Sequence, residues 1–243
     1  MISVVIPFYN EADEILSCLE AFTRQTYRGN FELILVDNGS TDDSATHVKS
    51  FSSTLPVRLI HEAKRGVAAA SQAGFEAARY AIIARTDADT VVDADWLKAI
   101  GYRFQEEGVA ALCGHVGFRE TTLLQRWLFL EPLIEFHQRL HIRIRKPHFW
   151  GFNFAVRKEI FFRARGFNTR LRLAEDLDLG LRIQQALRPE ERIVYAPEMK
   201  VYSSSRRYGL KRSWLRYTID GYRAYFQRVW LGRIPPWMCT QDY

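Results

Sequence analysis

The stretch ISVVIPFYNEADEILSCLEAF, at residues 2–22, decides the fold of this chain of 243 residues. Residues 2–7 form a short apolar run, which is typical of a strand buried on both faces. Residues 15–22 place apolar side chains at helical spacing, and Asn10 stands where it can cap that helix. The stretch therefore predicts a strand followed by a helix, which is the opening of a βαβ unit.

The same alternation continues through the first half of the chain. Further strands are predicted at residues 31–36, 57–60, 81–84 and 109–116, and helices at residues 66–80 and 94–107. This order predicts an α/β fold in which a mostly parallel central sheet is flanked by helices in a single compact unit. In such sheets, ligands bind beyond the carboxyl ends of the strands.

The second half has a less regular pattern, and we place a soft boundary near residue 117. Leu140 to Arg145 alternates apolar and basic residues, which predicts a strand with one cationic face. Residues 149–155 read as a strand or a tight turn. Helices are predicted at residues 122–137, with an interruption at Pro132, at residues 175–185, and in a basic, aromatic segment at residues 210–229.

Charge is divided unevenly between the two halves. The whole chain has 34 basic and 28 acidic side chains, a net charge of +6. Residues 1–120 hold 11 basic and 17 acidic side chains, a net charge of −6, and residues 121–243 hold 23 and 11, a net charge of +12. Such an asymmetry suggests that the second half faces an anionic partner.

Composition excludes several classes of protein. A hydrophobic fraction of 47% is too high for a disordered chain. The three Cys are widely spaced and form no disulfide framework, which favours a reducing compartment. The sequence has no uncharged apolar run of membrane-spanning length and no signal-like start, so we predict a cytoplasmic protein.

Acidic side chains follow the predicted strands at the edge where a ligand is expected. Asp37 follows the strand at residues 31–36, and Asp87 and Asp89 follow the strand at residues 81–84. Paired carboxylates supply the hard oxygen ligands that Mg²⁺ or Mn²⁺ prefers, and substrate phosphates complete such sites. The alternative is a pair of turn or helix-capping carboxylates, and the pair alone does not decide between them.

Several segments together resemble a known family. The segments are VIPFYNE at 5–11, ELILVDNGSTD at 32–42, TDADT at 86–90, WGFNFAVR at 150–157 and AEDLDL at 174–179. In this order and spacing they resemble a family 2 glycosyltransferase of the GT-A fold, a Rossmann-like α/β fold. The resemblance covers roughly residues 2–205. It implies a nucleotide-sugar-binding half at 1–117 and an acceptor-binding, catalytic-base half at 118–243.

The resemblance also implies roles for single residues. Asp89 would ligate Mg²⁺ or Mn²⁺, and Asp87 would contact the ribose or the metal. Asp176 would be the general base for an inverting transfer, supported by Glu175, and Asp178 is the less favoured base. The nucleotide would lie against Pro7, Tyr9, Glu11, Asp37, Asn38 and Asp87.

Two departures from the family pattern change the expected contacts. The helix after the third strand lacks the family's Arg, so we expect Lys64 or Arg65 to contact the nucleotide instead. The six His all lie at or before His148, so the family's late His is absent. Arg206 or Arg207 would bind the diphosphate in its place, and a solvated basic loop is the alternative.

The second half is expected to bind the acceptor. Trp150, Gly151 and Asn153 are the predicted acceptor contacts, and core packing is the alternative for the aromatic ring. The resemblance implies a nucleoside-diphosphate sugar donor and a glycan or lipid-linked acceptor. The motif and spanning helices of processive members are missing, so we expect the transfer of one sugar per encounter.

Three readings of the basic half and two rival functions for the whole chain remain. The first reading is a peripheral site on an anionic membrane at the cytoplasmic face, because apolar and basic residues occur together in this half, and a helix packed into the core is the alternative for the apolar stretch. The apolar residues are Leu123, Leu124, Trp127, Leu128, Leu130, Leu133, Ile134 and Phe136. The second reading is a cationic acceptor site for a phosphate-bearing or lipid-linked glycan. Nucleic-acid binding lacks a supporting motif, and no nucleic-acid partner is expected. A nucleotidyltransferase would need a Gly-rich loop after the first strand, and a non-catalytic membrane protein would not need the carboxylates.

Overall fold

The computed structural model describes residues 1–119, 131–204 and 212–239. Its first half alternates strands and helices as the sequence predicts. The elements are β1 (Ile2–Phe8), α1 (Ala12–Thr23), β2 (Phe31–Asp37), α2 (Ser44–Ser50), β3 (Val57–His61), α3 (Val67–Ala77), β4 (Ile82–Arg85), β5 (Thr90–Val92), α4 (Trp96–Arg103) and β6 (Val109–Phe118).

The second half adds helices and two strands to the same body. In the described residues these are α5 (Glu131–Arg143), β7 (Phe154–Arg157), α6 (Lys158–Arg163), α7 (Glu175–Ala186), β8 (Arg192–Ser203) and α8 (Arg212–Tyr225). A π-helical turn, Phe226–Trp230, continues α8, and a 3₁₀ turn covers Pro236–Met238. Among the described helices, none has the length and apolarity needed to cross a membrane.

The described strands form one sheet in the order β3-β2-β1-β4-β7-β6-β8-β5. Strands β1, β2, β3 and β4 are parallel to their neighbours in that group, and β6 is parallel to β8. Strand β7 is antiparallel to both β4 and β6, and β5 is antiparallel to β8. The predicted α/β fold with a mostly parallel sheet is therefore confirmed.

The central strands are buried because helices pack on both faces of the sheet. All seven residues of β1 are buried, which explains its continuous apolar sequence. Helix α3 approaches β1 closely at Gly74, where a Cβ atom would lie 2.3 Å from Cγ1 of Val5. A larger residue at position 74 would force this helix away from the sheet, and such overpacking typically costs ~1–3 kcal/mol.

Two local predictions are wrong. Residues 140–143 continue helix α5 rather than forming a strand, because the apolar positions of the longer segment recur at three- and four-residue intervals. Asn10 does not cap α1. Its φ is 53°, and its Oδ1 accepts a hydrogen bond from the backbone N–H of Thr41 at 2.8 Å. The side chain therefore joins two loops at the end of the sheet.

Candidate active site

Three polar segments lie together at one edge of the sheet. They are residues 9–11, which follow β1, residues 37–38, where β2 ends, and residues 87–89, which begin two residues after the end of β4. Strands β1 and β2 run in register, with Phe8 beside Asp37, so the segments that follow them emerge side by side. This edge is the one where the topology predicts a ligand site.

Tyr9 and Arg65 form an exposed planar surface at this edge. The guanidinium Cζ of Arg65 lies 4.3 Å from the centre of the Tyr9 ring, and Tyr9 is 47% exposed. Arg65 also donates from Nη1 to the backbone carbonyl of Asn38 at 2.9 Å. Asp37 lies beside this surface, where its Oδ1 accepts a hydrogen bond from the Ser40 N–H at 2.8 Å. The arrangement offers a stacking surface next to a carboxylate.

Asn38 has a different role from the predicted one. Its Nδ2 donates to the carbonyls of Glu62 at 2.9 Å and Lys64 at 2.8 Å, and its Oδ1 accepts from the Gly66 N–H at 2.8 Å. The side chain is buried and its amide is fully occupied by the loop between β3 and α3. Asn38 is therefore a loop support, and the expected hydrogen bond to a base does not fit this geometry.

Two further predicted nucleotide contacts are largely enclosed. Pro7 is a buried residue of β1, and Glu11 is 8% exposed. The Glu11 N–H donates to Oγ of Ser44, and the Glu11 carbonyl accepts the first hydrogen bonds of α1. Both residues lie close to Tyr9 in the sequence, and little of the surface of either is exposed to solvent.

Arg85 stands at the centre of the carboxylates, and the sequence reading missed it. The residue is 1% exposed. Its Nη2 lies 3.3 Å from Oδ1 of Asp87, and its Nη1 lies 3.2 Å from Oε1 of Glu175. Burial opposes protonation, but the charges of Asp87 and Glu175 outweigh it and raise the pKa of Arg85. The only sequence signal was a basic residue that ends an apolar strand immediately before Thr86.

Asp176 is partly buried at the start of α7 and faces the 150–152 turn. Its Oδ2 accepts a hydrogen bond from the Gly151 N–H at 2.6 Å, and its Oδ1 accepts one from the Leu177 N–H at 2.7 Å. Burial and the neighbouring charge of Glu175 raise the pKa of Asp176 to about 7, despite the opposing charge of Arg85. A carboxylate with such a pKa can exchange protons near neutral pH.

The chain approaches Asp176 closely because position 151 is glycine. A Cβ atom there would lie 3.0 Å from Oδ2 of Asp176 and 3.1 Å from Nη2 of Arg85. Trp150 lies next to this glycine and stacks on His148, with ring centres 5.1 Å apart and planes 12° apart. The structure thus places Gly151 against Asp176 and Trp150 beside that glycine, and the contact of both residues with an acceptor stays a prediction.

Asn153 does not reach this site. It is fully buried, and its Oδ1 accepts a hydrogen bond from the indole N–H of Trp96 at 2.9 Å. Its Nδ2 donates to the carbonyls of His115 at 2.7 Å and Met199 at 2.9 Å. The predicted acceptor contact is corrected to a structural role, because these bonds join α4, β6 and β8 beneath the turn.

The predicted metal ligands, Asp87 and Asp89, lie in the segment just after β4. Asp87 is 20% exposed at its side chain, whereas Asp89 is 4% exposed and its carbonyl accepts from the Ser204 N–H. In the part of the chain that is described, no three His, Cys, Asp or Glu side chains converge on one metal position. Two carboxylates fit an ion whose remaining ligands are phosphate oxygens and water. Arg206 and Arg207 lie outside the described residues.

Asp178 is not a candidate base in this arrangement. It is 1% exposed, and its Oδ2 pairs with Arg182 while its Oδ1 accepts a hydrogen bond from Nε of Arg228 at 2.7 Å. The pair with Arg228 attaches the π-helical turn after α8 to α7, and the pair with Arg182 lies within α7. Of these two aspartates, Asp176 is therefore the better placed to act as a general base.

Several known proteins are similar in sequence to this chain. The sequence model of Glycosyl transferase family 2 matches residues 3–163. Glycosyltransferase AglE of Haloferax volcanii is 37% identical over 121 residues, which are 48% of this chain and 40% of that protein. The first curated relatives are longer proteins, and the matches span between 26% and 58% of their lengths.

Solved structures share the fold. Mannosyltransferase PcManGT of Pyrobaculum calidifontis, in complex with GDP-Man and Mn²⁺, is 24% identical with a TM-score of 0.71, and the match covers 97% of this chain and 66% of that one. S. aureus TarS 1–349, in complex with UDP-GlcNAc, is 18% identical with a TM-score of 0.68, and the match covers 84% and 58%. These neighbours have the GT-A fold, which confirms the predicted fold class.

Proposed function

Because this chain belongs to glycosyl transferase family 2, we propose that it is an inverting glycosyltransferase. It moves a sugar from a nucleoside-diphosphate sugar to an acceptor hydroxyl. One observation carries the proposal: Arg85 joins the strand-end carboxylate Asp87 to the Glu175 carboxylate, next to Asp176. In this proposal, the donor-binding Asp87 and the base Asp176 belong to one cluster of charged side chains around Arg85.

The donor end is formed by the strand-end residues. The Tyr9 and Arg65 surface would stack against the base, and Asp37 would accept its hydrogen bonds. Asp87 and Asp89 would hold Mg²⁺ or Mn²⁺, which offsets the negative charge that develops on the leaving diphosphate. Mn²⁺ and GDP-Man in one structural neighbour, and UDP-GlcNAc in another, support this kind of donor. By sequence position alone, Arg206 and Arg207 are the proposed diphosphate contacts.

Asp176 is the proposed general base. It takes the proton of the acceptor hydroxyl while that oxygen forms a bond to the anomeric carbon and the bond to the diphosphate breaks. The configuration inverts because attack and departure occur on opposite faces of the sugar. The raised pKa of about 7 suits this step, since about half of the carboxylates are ionised at neutral pH and each ionised one is more basic than an ordinary aspartate.

The acceptor is proposed to be a glycan or a lipid-linked intermediate. Trp150 supports this proposal, because a tryptophan ring presents a flat apolar face of the kind that sugars pack against, and it lies one residue from the Asp176 contact at Gly151. Transfer of one sugar per encounter remains the proposal drawn from the sequence.

The experiment measures thermal unfolding with UDP, GDP or dTDP in the presence of Mg²⁺ or Mn²⁺. One nucleotide with one metal should raise the unfolding midpoint, and the corresponding nucleotide sugar should then be hydrolysed slowly. Asp89→Asn should lose the metal-dependent part of this rise in the unfolding midpoint. Glu107→Gln, a control at an exposed carboxylate, should retain it. If no nucleotide stabilises the protein with any divalent ion, the proposed function is wrong.

A further inference from the structure

Helix α5 has an apolar stripe on its exposed side. The stripe consists of Leu133, Phe136, Leu140 and Ile144, the last just after the helix. Their spacings of three, four and four residues place them along one side of a helix. Leu133 and Phe136 are 65% and 64% exposed, and Leu140 and Ile144 are 39% exposed each. A helix that belonged wholly to the core would bury these side chains.

Helix α8 and the π-helical turn carry a second stripe with the same spacing. It consists of Ile219, Tyr222, Phe226 and Trp230. These side chains are 48%, 73%, 54% and 51% exposed, in that order. Three of the four are aromatic, and Tyr and Trp are the side chains enriched where protein meets the interfacial region of a bilayer.

The two helices lie next to each other. Tyr225 of α8 forms a hydrogen bond of 2.7 Å, through its hydroxyl, with Nε2 of His141 on α5. Five residues further along both segments, Nζ of Lys146 lies 3.8 Å from the centre of the Trp230 ring. The two contacts show that α5 and α8 run side by side in the same direction, so their stripes belong to one region of the surface.

Positive charge surrounds the stripes. Residues 131–146 and 219–234 together contain seven basic and three acidic side chains. Arg143, Arg145 and Arg233 are exposed. The acidic side chains include Asp220, which pairs with Arg223. The region therefore combines exposed apolar side chains with a net positive rim, which is the composition of a helix pair that lies at an anionic membrane interface.

We propose that this two-helix surface, formed by the stripes on α5 and α8, docks the protein onto an anionic lipid bilayer. A second copy of the chain fits less well, because two such faces would bring two positively charged rims together. A neutral membrane would use the apolar side chains and leave the arginines without a role. The inference does not depend on the proposed transfer reaction, and its test needs no nucleotide sugar.

The test is co-sedimentation with vesicles of phosphatidylcholine, alone or mixed with phosphatidylglycerol, at low and high salt. The protein should bind the mixed vesicles, and salt should weaken binding. Arg143→Gln, Arg145→Gln and Arg233→Gln together should reduce partitioning about 100-fold, at about fivefold for each charge near the membrane. Phe136→Ser and Trp230→Ser should each reduce it about tenfold, as expected for a large apolar side chain.

Matched controls lie on other helices. Tyr102→Ser on α4 and Phe162→Ser on α6 remove aromatic side chains that are 65% and 46% exposed, and they should leave vesicle binding unchanged. All variants should keep the wild-type unfolding midpoint. Equal binding to neutral vesicles, or a loss shared by the controls, would overturn the proposal. So would a concentration-dependent dimer, abolished by Trp230→Ser, in a protein that binds no vesicle.

Discussion

Replacing Asp176 by Asn tests the proposed base most directly. The wild-type carboxylate accepts one hydrogen bond on each oxygen, from the N–H groups of Gly151 and Leu177. Asparagine has one acceptor oxygen, so one of these two N–H groups loses its partner, at a cost of ~1–3 kcal/mol in unfolding free energy. The fold should survive that cost, and turnover should fall by ~10²–10⁴, the usual contribution of a general base.

The pH dependence gives a second readout of the same substitution. Burial and Glu175 raise the pKa of Asp176 to about 7, so the wild-type kcat/KM should rise with pH up to that value and then level off. In Asp176→Asn this rising limb should be absent. Because the raised pKa belongs to the folded state, its stabilising effect is complete at acid pH and is lost as pH rises through about 7. The variant should therefore lose less stability than the wild type between acid and alkaline pH.

The assay follows nucleoside diphosphate release with the donor and metal found in the binding experiment. Glu107→Gln serves as the control for removal of a surface carboxylate, and it should keep wild-type turnover. Nucleotide binding by Asp176→Asn should also match the wild type, since the substitution does not touch the donor end. Turnover within about twofold of the wild type, or an unchanged rising limb of the pH profile, refutes the assignment of the base.

Two further substitutions test the groups around Asp176. Arg85→Met leaves Asp87 and Glu175 without their shared cation and should lower the free energy of unfolding, measured with urea, by ~3–5 kcal/mol. Arg85→Lys keeps one positive charge and should lower it by less. Equal losses in the two variants would show that the ion pairs contribute little. Trp150→Ala should raise the KM for the acceptor and leave the KM for the nucleotide sugar unchanged, and a rise in the donor KM instead would place the ring at the donor.

The sequence predicted the elements whose pattern is local. Strands β1, β2, β4 and β6 are apolar runs that are largely buried in the sheet, whereas β3, at the sheet edge, has only half-buried and exposed residues. Strand β8 was missed because its buried and exposed residues do not alternate evenly, and its pairing with β6 shifts register twice. Strand β5 has three residues, too few for any pattern. The antiparallel insertion of β7 depends on tertiary pairing, which one sequence does not display.

The sequence predicted the site residues that belong to a motif. It did not predict the residues whose contacts depend on how the chain packs. Motif resemblance pointed to Asp87 and Asp176, and both lie in the cluster of carboxylates around Arg85. Asn38 and Asn153 carried the same kind of signal, yet the amide of Asn38 binds the backbone of the loop before α3, and the amide of Asn153 binds the backbone of β6 and β8. Arg85 was overlooked because a basic residue at a strand end usually lies in solvent, and only the fold encloses it.

The position of β7 between β4 and β6 determines when the sheet can be completed during synthesis. Strand β4 pairs with β1 on one side, and its other neighbour is β7, which also covers β6. Until residues 154–157 have left the ribosome, β4 and β6 both present a row of unpaired backbone groups, a surface that invites pairing with other chains. The sheet is therefore completed only after both halves of the sequence have been synthesised, and we expect residues 1–117 alone to aggregate more readily than the whole chain.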